Sequence, residues 1–269
     1  MTKQGRLMRK EALKYPIGLI SAVPLEGKII LSHLKKIRES VHCGSGLYQG
    51  NINAEPIFYL ISGIGKTNAS WGATILIERF SPSIIINFGV GGAYPSSGLK
   101  IGDIAVAEKE VYGDEGASLK DGFHTLEVIG MPLLVKGRRK YFNEFPLDKN
   151  LVKKALNSFN RATDNSSLTA KVKTGPFLTL STCTGTLKRA KKLQGIFHAI
   201  CENMEGAAVA HICALYGVPI VEIRGISNIV EDRNTRKWGL KLAAENCQKV
   251  VMEFLKHYNS IILKSEDSQ

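Results

Sequence analysis

Short apolar runs alternate along this chain with stretches of helical periodicity. Residues 17–23 are apolar almost throughout and read as a buried strand, with a helix predicted over about 25–37. Residues 46–50 and 57–62 read as the arms of a hairpin. A helix is predicted over 68–80, because Ala69, Ala73, Ile77 and Phe80 fall roughly on one face. Residues 84–88 and 104–111 read as strands, 151–159 as a helix, and 170–174 and 177–180 as strand-like. The pattern closes with a helix over 205–216, a strand over 218–224 and a long helix over 238–258.

Continuous apolar strands between helices imply a mostly parallel sheet covered on both faces. The hairpin and the long central segment add antiparallel pairing. The expected fold class is therefore α/β, three-layer α/β/α with a central mixed β-sheet. No internal repeat or low-complexity linker divides the chain. One domain over 16–259 is expected, with a flexible basic N-terminal extension at 1–15 and a C-terminal tail at 260–269. Residues 112–147 have weak periodicity and several glycines, and read as a long loop; such loops inside a domain are usually functional.

Composition narrows the function classes. The 269 residues are 44% apolar and 22% charged, which excludes wholesale disorder, collagen and a disulfide scaffold. The net charge of +12 invites a nucleic-acid or membrane reading, but its distribution does not support one. Residues 1–16 carry +4, residues 135–154 carry +5, and Lys188, Arg189, Lys191 and Lys192 add +4. The remainder is close to neutral, so the excess reads as solvated surface. No nucleic-acid partner is expected. No run approaches the ~18 apolar residues of a membrane span, and the 17–23 run is too short for a signal peptide. Five cysteines without a C-x-x-C read as free thiols in a reducing cytoplasm and argue against a structural zinc site.

Two glycine-rich strings fail as nucleotide motifs. Ser62-Gly63-Ile64-Gly65-Lys66-Thr67 ends like a phosphate loop, but Leu60 stands where the first glycine is required. Asn87-Phe88-Gly89-Val90-Gly91-Gly92-Ala93 follows a strand, yet Tyr94 occupies the third glycine site of a dinucleotide fingerprint. Clustered glycines there would still let a ligand approach the backbone. Glu26 lies just past the first strand, where α/β sheets usually bind ligands. Taken singly, Glu26 and Glu205 are helix-start acids and Asn228 a turn residue. His211 reads as packed or exposed, and His42, His124 and His198 lack metal spacing.

The strings combine into an ordered series: I-G-L-I-S-A-V-P-L-E, S-G-I-G-K-T-N-A, I-I-N-F-G-V-G-G, G-D-I, M-E-G-A-A-V-A-H-I-C and R-G-I-S-N. In that order they resemble the nucleoside phosphorylase superfamily, over about residues 17–258. The nucleosidase branch is the nearest. Within it, Tyr112-Gly113-Asp114-Glu115-Gly116, Ser181-Thr182-Cys183-Thr184-Gly185-Thr186 and Glu202-Asn203-Met204-Glu205-Gly206 resemble the futalosine hydrolase group most.

The resemblance implies a nucleoside phosphorylase-like fold and cleavage of an N-glycosidic bond through an oxocarbenium-like transition state. It implies that Glu26 activates water, Glu205 holds the ribose hydroxyls and Met204 packs on the ribose. Val90, Gly91 and Gly92 would line the ribose–base pocket, with Thr182 and Cys183 beside the base and Ser227 beside Asn228. An acid at 26 and no Arg in Ser21-Ala22-Val23-Pro24 argue for water over phosphate as nucleophile. Asn228 stands where adenine-specific nucleosidases carry Asp. An amide offers both a donor and an acceptor, which suits a 6-oxopurine. The expected reaction is hydrolysis of futalosine to hypoxanthine and dehypoxanthine futalosine, in menaquinone biosynthesis. Methylthioadenosine/S-adenosylhomocysteine nucleosidase is the alternative, and a purine nucleoside phosphorylase a weaker one. No cofactor and no metal are implied; the partner is a small-molecule nucleoside, and the chain is expected to form a homo-oligomer. The 112–147 segment, with Phe123 and several Lys and Arg, is the expected receptor for the substrate's aryl-carboxylate end.

Overall fold

Five consecutive apolar residues make Ile17–Ser21 (β1) a strand that is buried at every position. In the computed structural model, which describes residues 15–42, 44–165 and 168–258, β1 lies in a ten-stranded sheet. The expected C-terminal tail and all but Tyr15 of the N-terminal extension lie outside the described residues. After β1 come a turn of 3-10 helix at Pro24–Gly27, α1 (Lys28–His33), β2 (Lys35–His42), β3 (Ser45–Ile52) and β4 (Glu55–Ile61). Then follow α2 (Lys66–Phe80), β5 (Ile84–Ala93) and β6 (Ile104–Tyr112). The central segment holds β7 (Gly116–Leu119), β8 (Gly122–Thr125), β9 (Leu134–Lys136), β10 (Arg139–Tyr141) and β11 (Glu144–Pro146). The chain continues through α3 (Lys149–Asn165), β12 (Val172–Thr179), α4 (Leu187–Phe197), β13 (Cys201–Asn203), α5 (Gly206–Tyr216), β14 (Ile220–Ile229) and α6 (Leu240–His257).

The sheet is mixed. Its strand order is β11-β6-β12-β13-β5-β1-β4-β3-β2, and β14 bonds to both β5 and β6. Parallel pairing joins β1 to β4 and β5, and β5 to β14, while β2-β3-β4 is an antiparallel meander. The double attachment of β14 closes β5, β14, β6, β12 and β13 into a ring of paired strands. Helices α2 and α5 pack together in one outer layer, and α3 packs on α6 in the other. A continuous core runs between them, from Ile17, Leu19 and Tyr59 through Ile85 and Phe88 to Val250 and Phe254. Among the described residues, no helix is long and apolar enough to cross a membrane.

Several elements depart from the expectation. The helix expected over 25–37 ends at His33, and β2 takes the following residues as an edge strand. Its Lys35, Lys36, Arg38 and Glu39 mimic a solvated helix face, but charge is also how an exposed sheet edge avoids further pairing. The expected loop at 112–147 is instead the hairpins β7–β8 and β9–β10, followed by β11 on the sheet edge. Strands of three or four residues are too short to show a period. Helix α4 and strand β13 lie outside the expectations. Strand β14 runs on through Asn228, with a bulge between Ile226 and Asn228, because β5 keeps offering backbone partners as far as Ala93.

Candidate active site

Glycines in the second half of β5 let several side chains converge there. A Cβ at Gly89 would stand 2.4 Å from Glu26 Oε1, and one at Gly91 would stand 2.5 Å from Cys201 Sγ. Glu26 itself sits on the 3-10 turn that Pro24 begins just beyond β1, and it is 3% exposed. Its Oε2 accepts from the backbone N–H of Ala22 (2.9 Å) and Val23 (3.1 Å), and its Oε1 from Val90 N–H (2.8 Å). Burial pushes this carboxyl above the ordinary carboxylate range, against the pull of Arg224 and the N–H donors of Val90 and Val23. A carboxylate held this way can take a proton from water.

Glu205 is the residue before α5, yet its side chain does not serve its own helix. Asn203 Oδ1 accepts from Glu205 N–H (3.0 Å) and Gly206 N–H (2.7 Å), and Thr179 Oγ1 accepts from Ala207 N–H (2.7 Å). These neighbours satisfy the helix's first amides, which leaves the Glu205 carboxylate free to face the cavity. Its Oε1 accepts from Gly65 N–H at 3.0 Å, and Gly65 holds a φ of 96° that favours glycine. The failed phosphate-loop string therefore has a different task, presenting this amide to Glu205.

Arg224, absent from the expected site, binds the two halves together. It is 1% exposed; its Nε donates to Glu222 Oε1 at 2.9 Å, and its Nη1 lies 3.5 Å from Glu205 Oε2. Burial alone would lower its pKa, but Glu222, Glu205 and Glu26 more than offset that, so the guanidinium stays charged. Behind it, Glu110 accepts from Thr179 Oγ1 and Asn203 Nδ2, both at 2.7 Å. Burial and the nearby Glu222 hold the Glu110 carboxyl well above its usual range. A group whose folded pKa is raised contributes stability that is lost as pH rises past its unfolded value. Thermal midpoints measured from pH 5 to 8 should therefore fall less steeply with rising pH in Glu110→Gln than in the wild type. Equal slopes would mean that Glu110 is ionised throughout.

The cavity has a volume of about 270 Å³ and is lined by Glu26, Val90, Gly91, Gly92, Cys183, Met204, Glu205, Ser227 and Asn228. Of the residues expected from sequence, only Thr182 stays outside this lining; it is exposed, and its carbonyl accepts from Arg189 at 3.5 Å. The chain turns there, so that Cys183 and Thr184 face inward in its place. Ser227 Oγ donates to Asn228 Oδ1 at 2.8 Å, and Asn228 Nδ2 donates to Ile229 O at 3.2 Å. One N–H and one lone pair of the amide remain for a ligand.

Further lining residues include Ile64, Thr184, Glu202, Arg233, Trp238 and Leu240. Among these, Ile64, Trp238 and Leu240 form an apolar mouth, and Arg233 lies 4.7 Å over the Trp238 ring. In the sequence, Arg233, Trp238 and Leu240 are marked only by following the Asn228 string, and Ile64 only by its place in the failed phosphate-loop string. Residues 112–147 contribute nothing to this lining; Phe123 stacks edge-on against Phe197 over a separate surface depression. The expected receptor role of that segment is thus not met within one chain. His211 stacks on Phe145 at 4.5 Å, a packed histidine.

Comparison with known proteins identifies the family to which this fold belongs. The phosphorylase superfamily profile matches residues 16–256. A futalosine hydrolase from Thermus thermophilus is 36% identical over 197 residues, covering 73% of this chain and 80% of that protein. A 5'-methylthioadenosine/S-adenosylhomocysteine nucleosidase from Marinomonas sp. is 27% identical over 243 residues, or 89% of this chain and 98% of that protein. A nucleosidase of the latter kind from Colwellia psychrerythraea, solved with adenine, superposes with a TM-score of 0.75 at 26% identity, covering 90% of this chain and 95% of that one. The chain belongs to the phosphorylase superfamily, in its nucleosidase branch, whose chemistry is hydrolysis of a nucleoside's N-glycosidic bond.

Proposed function

We propose that this enzyme hydrolyses a 6-oxopurine nucleoside of the futalosine type, releasing hypoxanthine. The observation that carries the reading is Asn228. It reaches the cavity beside Ser227, across the Gly91–Gly92 backbone, where a leaving base would sit. Its amide N–H donates to a 6-oxo group while its oxygen accepts from a protonated N7. Adenine would set its own amino group against that N–H, and a mispaired buried donor is costly. Hydrolysis then needs three tasks done. Glu26 takes the proton of the attacking water, Glu205 accepts from the ribose hydroxyls, and Asn228 stabilises the departing base. Both carboxylates also favour the positive charge developing on the sugar ring. Met204 and Val90 pack the ribose between them.

The apolar mouth suits the far end of such a substrate. An aryl ketone can stack on Trp238 between Ile64 and Leu240, and the Arg233 guanidinium can meet its carboxylate. Ile64 is 56% exposed in the single chain, and we infer that a second copy of the chain covers this mouth.

The broader coverage by methylthioadenosine/S-adenosylhomocysteine nucleosidases favours a second reading, adenine release. A panel of futalosine, inosine, methylthioadenosine and S-adenosylhomocysteine, each with and without phosphate, separates the two. Futalosine should be cleaved to hypoxanthine without phosphate. Asn228→Asp should lower that kcat/KM by roughly tenfold or more and raise adenine release. Adenine release with no action on futalosine would establish the second reading, and strict phosphate dependence would exclude both.

A further inference from the structure

Strand β13 carries an acid that the three tasks above do not use. Glu202 is 8% exposed and lines the same cavity as Asn228. Both residues are opposite Gly92 on β5: Glu202 from β13 on one side and Asn228 from β14 on the other. Directly opposed residues on adjacent strands project from the same face of a sheet. Glu202 and Asn228 therefore rise on either side of a position that has no side chain. With strands about 4.8 Å apart, their Cα atoms are separated by roughly 10 Å across this gap. The gap is a slot for a flat heterocycle, floored by Gly92. A Cβ at Gly92 would come within 2.8 Å of Val230 Cγ2 and 3.1 Å of Asn228 Nδ2, so the slot, with Val230 on one side, needs glycine there.

The polar groups around the slot are half-committed. Glu202 Oε2 accepts from Tyr94 O–H and Oε1 from Thr184 N–H, both at 2.8 Å. Burial and the Glu202 charge keep the Tyr94 hydroxyl protonated, so it remains a donor. Each carboxylate oxygen thus keeps a lone pair. Beside it, Thr184 Oγ1 is buried without a hydrogen-bond partner among the described residues. A buried cavity wall carrying an anchored acid and an unpaired hydroxyl is built to receive a polar ligand edge.

We propose that Glu202 is the second base-reading residue of this site, accepting the N1–H of a 6-oxopurine whose N7 and O6 face Asn228. This rests on the 6-oxopurine reading above and deepens it. A purine presents N7 and O6 on one edge and N1 on the next, so residues flanking a single slot read the two edges together. In hypoxanthine, N1 carries a proton and O6 accepts. In adenine, N1 is a bare lone pair, which would face the Glu202 carboxylate. Glu202 therefore rejects the amino base as well as holding the oxo base.

Calorimetric titration of the purified enzyme with hypoxanthine and with adenine tests this. Glu202→Gln should weaken hypoxanthine binding by roughly 10–100-fold, as expected for loss of a charged acceptor. Adenine binding should hold or tighten, because the Gln amide can donate to N1. Glu202→Asp, which keeps the charge, should retain a preference for hypoxanthine. If Glu202 only braces Tyr94 and the 184 turn, Glu202→Gln will weaken both bases alike. That result, or no change in either, overturns the proposal. A wild type that binds adenine better than hypoxanthine overturns the 6-oxopurine reading itself. A wild-type preference for hypoxanthine that survives Glu202→Gln removes only the role of Glu202.

Discussion

Replacing Glu26 by Gln is expected to lower kcat by roughly 10²–10⁴-fold while leaving KM close to that of the wild type, the usual scale for losing a general base. The amide cannot take a proton from water. The proposed role sets this side chain against the incoming nucleophile rather than the ribose or base, so ground-state binding should survive. The wild-type pH profile gives an independent check. A base must be ionised to act, so kcat/KM should fall as pH falls through the Glu26 pKa of the free enzyme. Burial raises that pKa, which puts the acid limb above the ordinary carboxylate range of about 4.3. An acid limb that stays unchanged in Glu26→Gln would assign the proton transfer to another group. Steady-state kinetics with a continuous assay for the released base measures both.

Arg224→Met should produce the largest change in stability. The guanidinium is the central cation for Glu222, Glu205 and Glu26, all buried. Removing one partner of a buried ion pair typically costs about 3–5 kcal/mol, because the remaining charge is neither solvated nor matched. For a chain of this size that is a drop in Tm on the order of 10 °C. The sign of its pH dependence is diagnostic. Without the cation, the Glu26 carboxyl, which burial already raises and Arg224 holds down, is pushed up further, so the variant should regain stability as pH falls towards 5. Activity should fall too, since Arg224 also steadies Glu205 across 3.5 Å. A variant that melts within about 2 °C of wild type, a loss of under about 1 kcal/mol, would mean that the acids neutralise one another by sharing protons.

The sheet's centre was readable because its physics is local. Ile17, Leu19, Ile84, Ile85 and Ile86 form apolar runs that nothing but a doubly covered strand explains. Glu26, Glu205 and Asn228 were found through the order of the strings around them, since each alone is an ordinary helix-start or turn residue. The acids behind them were not readable. Glu108 and Glu110 alternate along β6 like a solvated face, yet Glu108 is exposed and Glu110 is wholly buried. Only the partner strands, which bring Thr179 and Asn203 to Glu110, reveal the difference. Arg224 was visible in its string but without a task, because its three carboxylates come from Pro24–Gly27, the start of α5 and β14 itself. Glu202 stood in a resembling string without a task of its own, because it lies on a three-residue strand too short to announce itself.

The ring made by β5, β14, β6, β12 and β13 has a consequence for traffic through the enzyme. A sheet with a free edge beside its ligand can open by peeling one strand away. Here every strand that carries a base-side or ribose-side group is bonded on both flanks, so parting any one breaks two ladders at once. The hoop is a closed frame of paired strands, and the cavity opens over its rim. That rim is the stretch from Gly63 to Gly65 and the chain from Glu231 to Leu240, which carries Arg233 and Trp238. The paired strands thus hold Val90, Glu202 and Asn228 in register, while the mouth of the cavity is bounded by surface segments that lie outside the ladders.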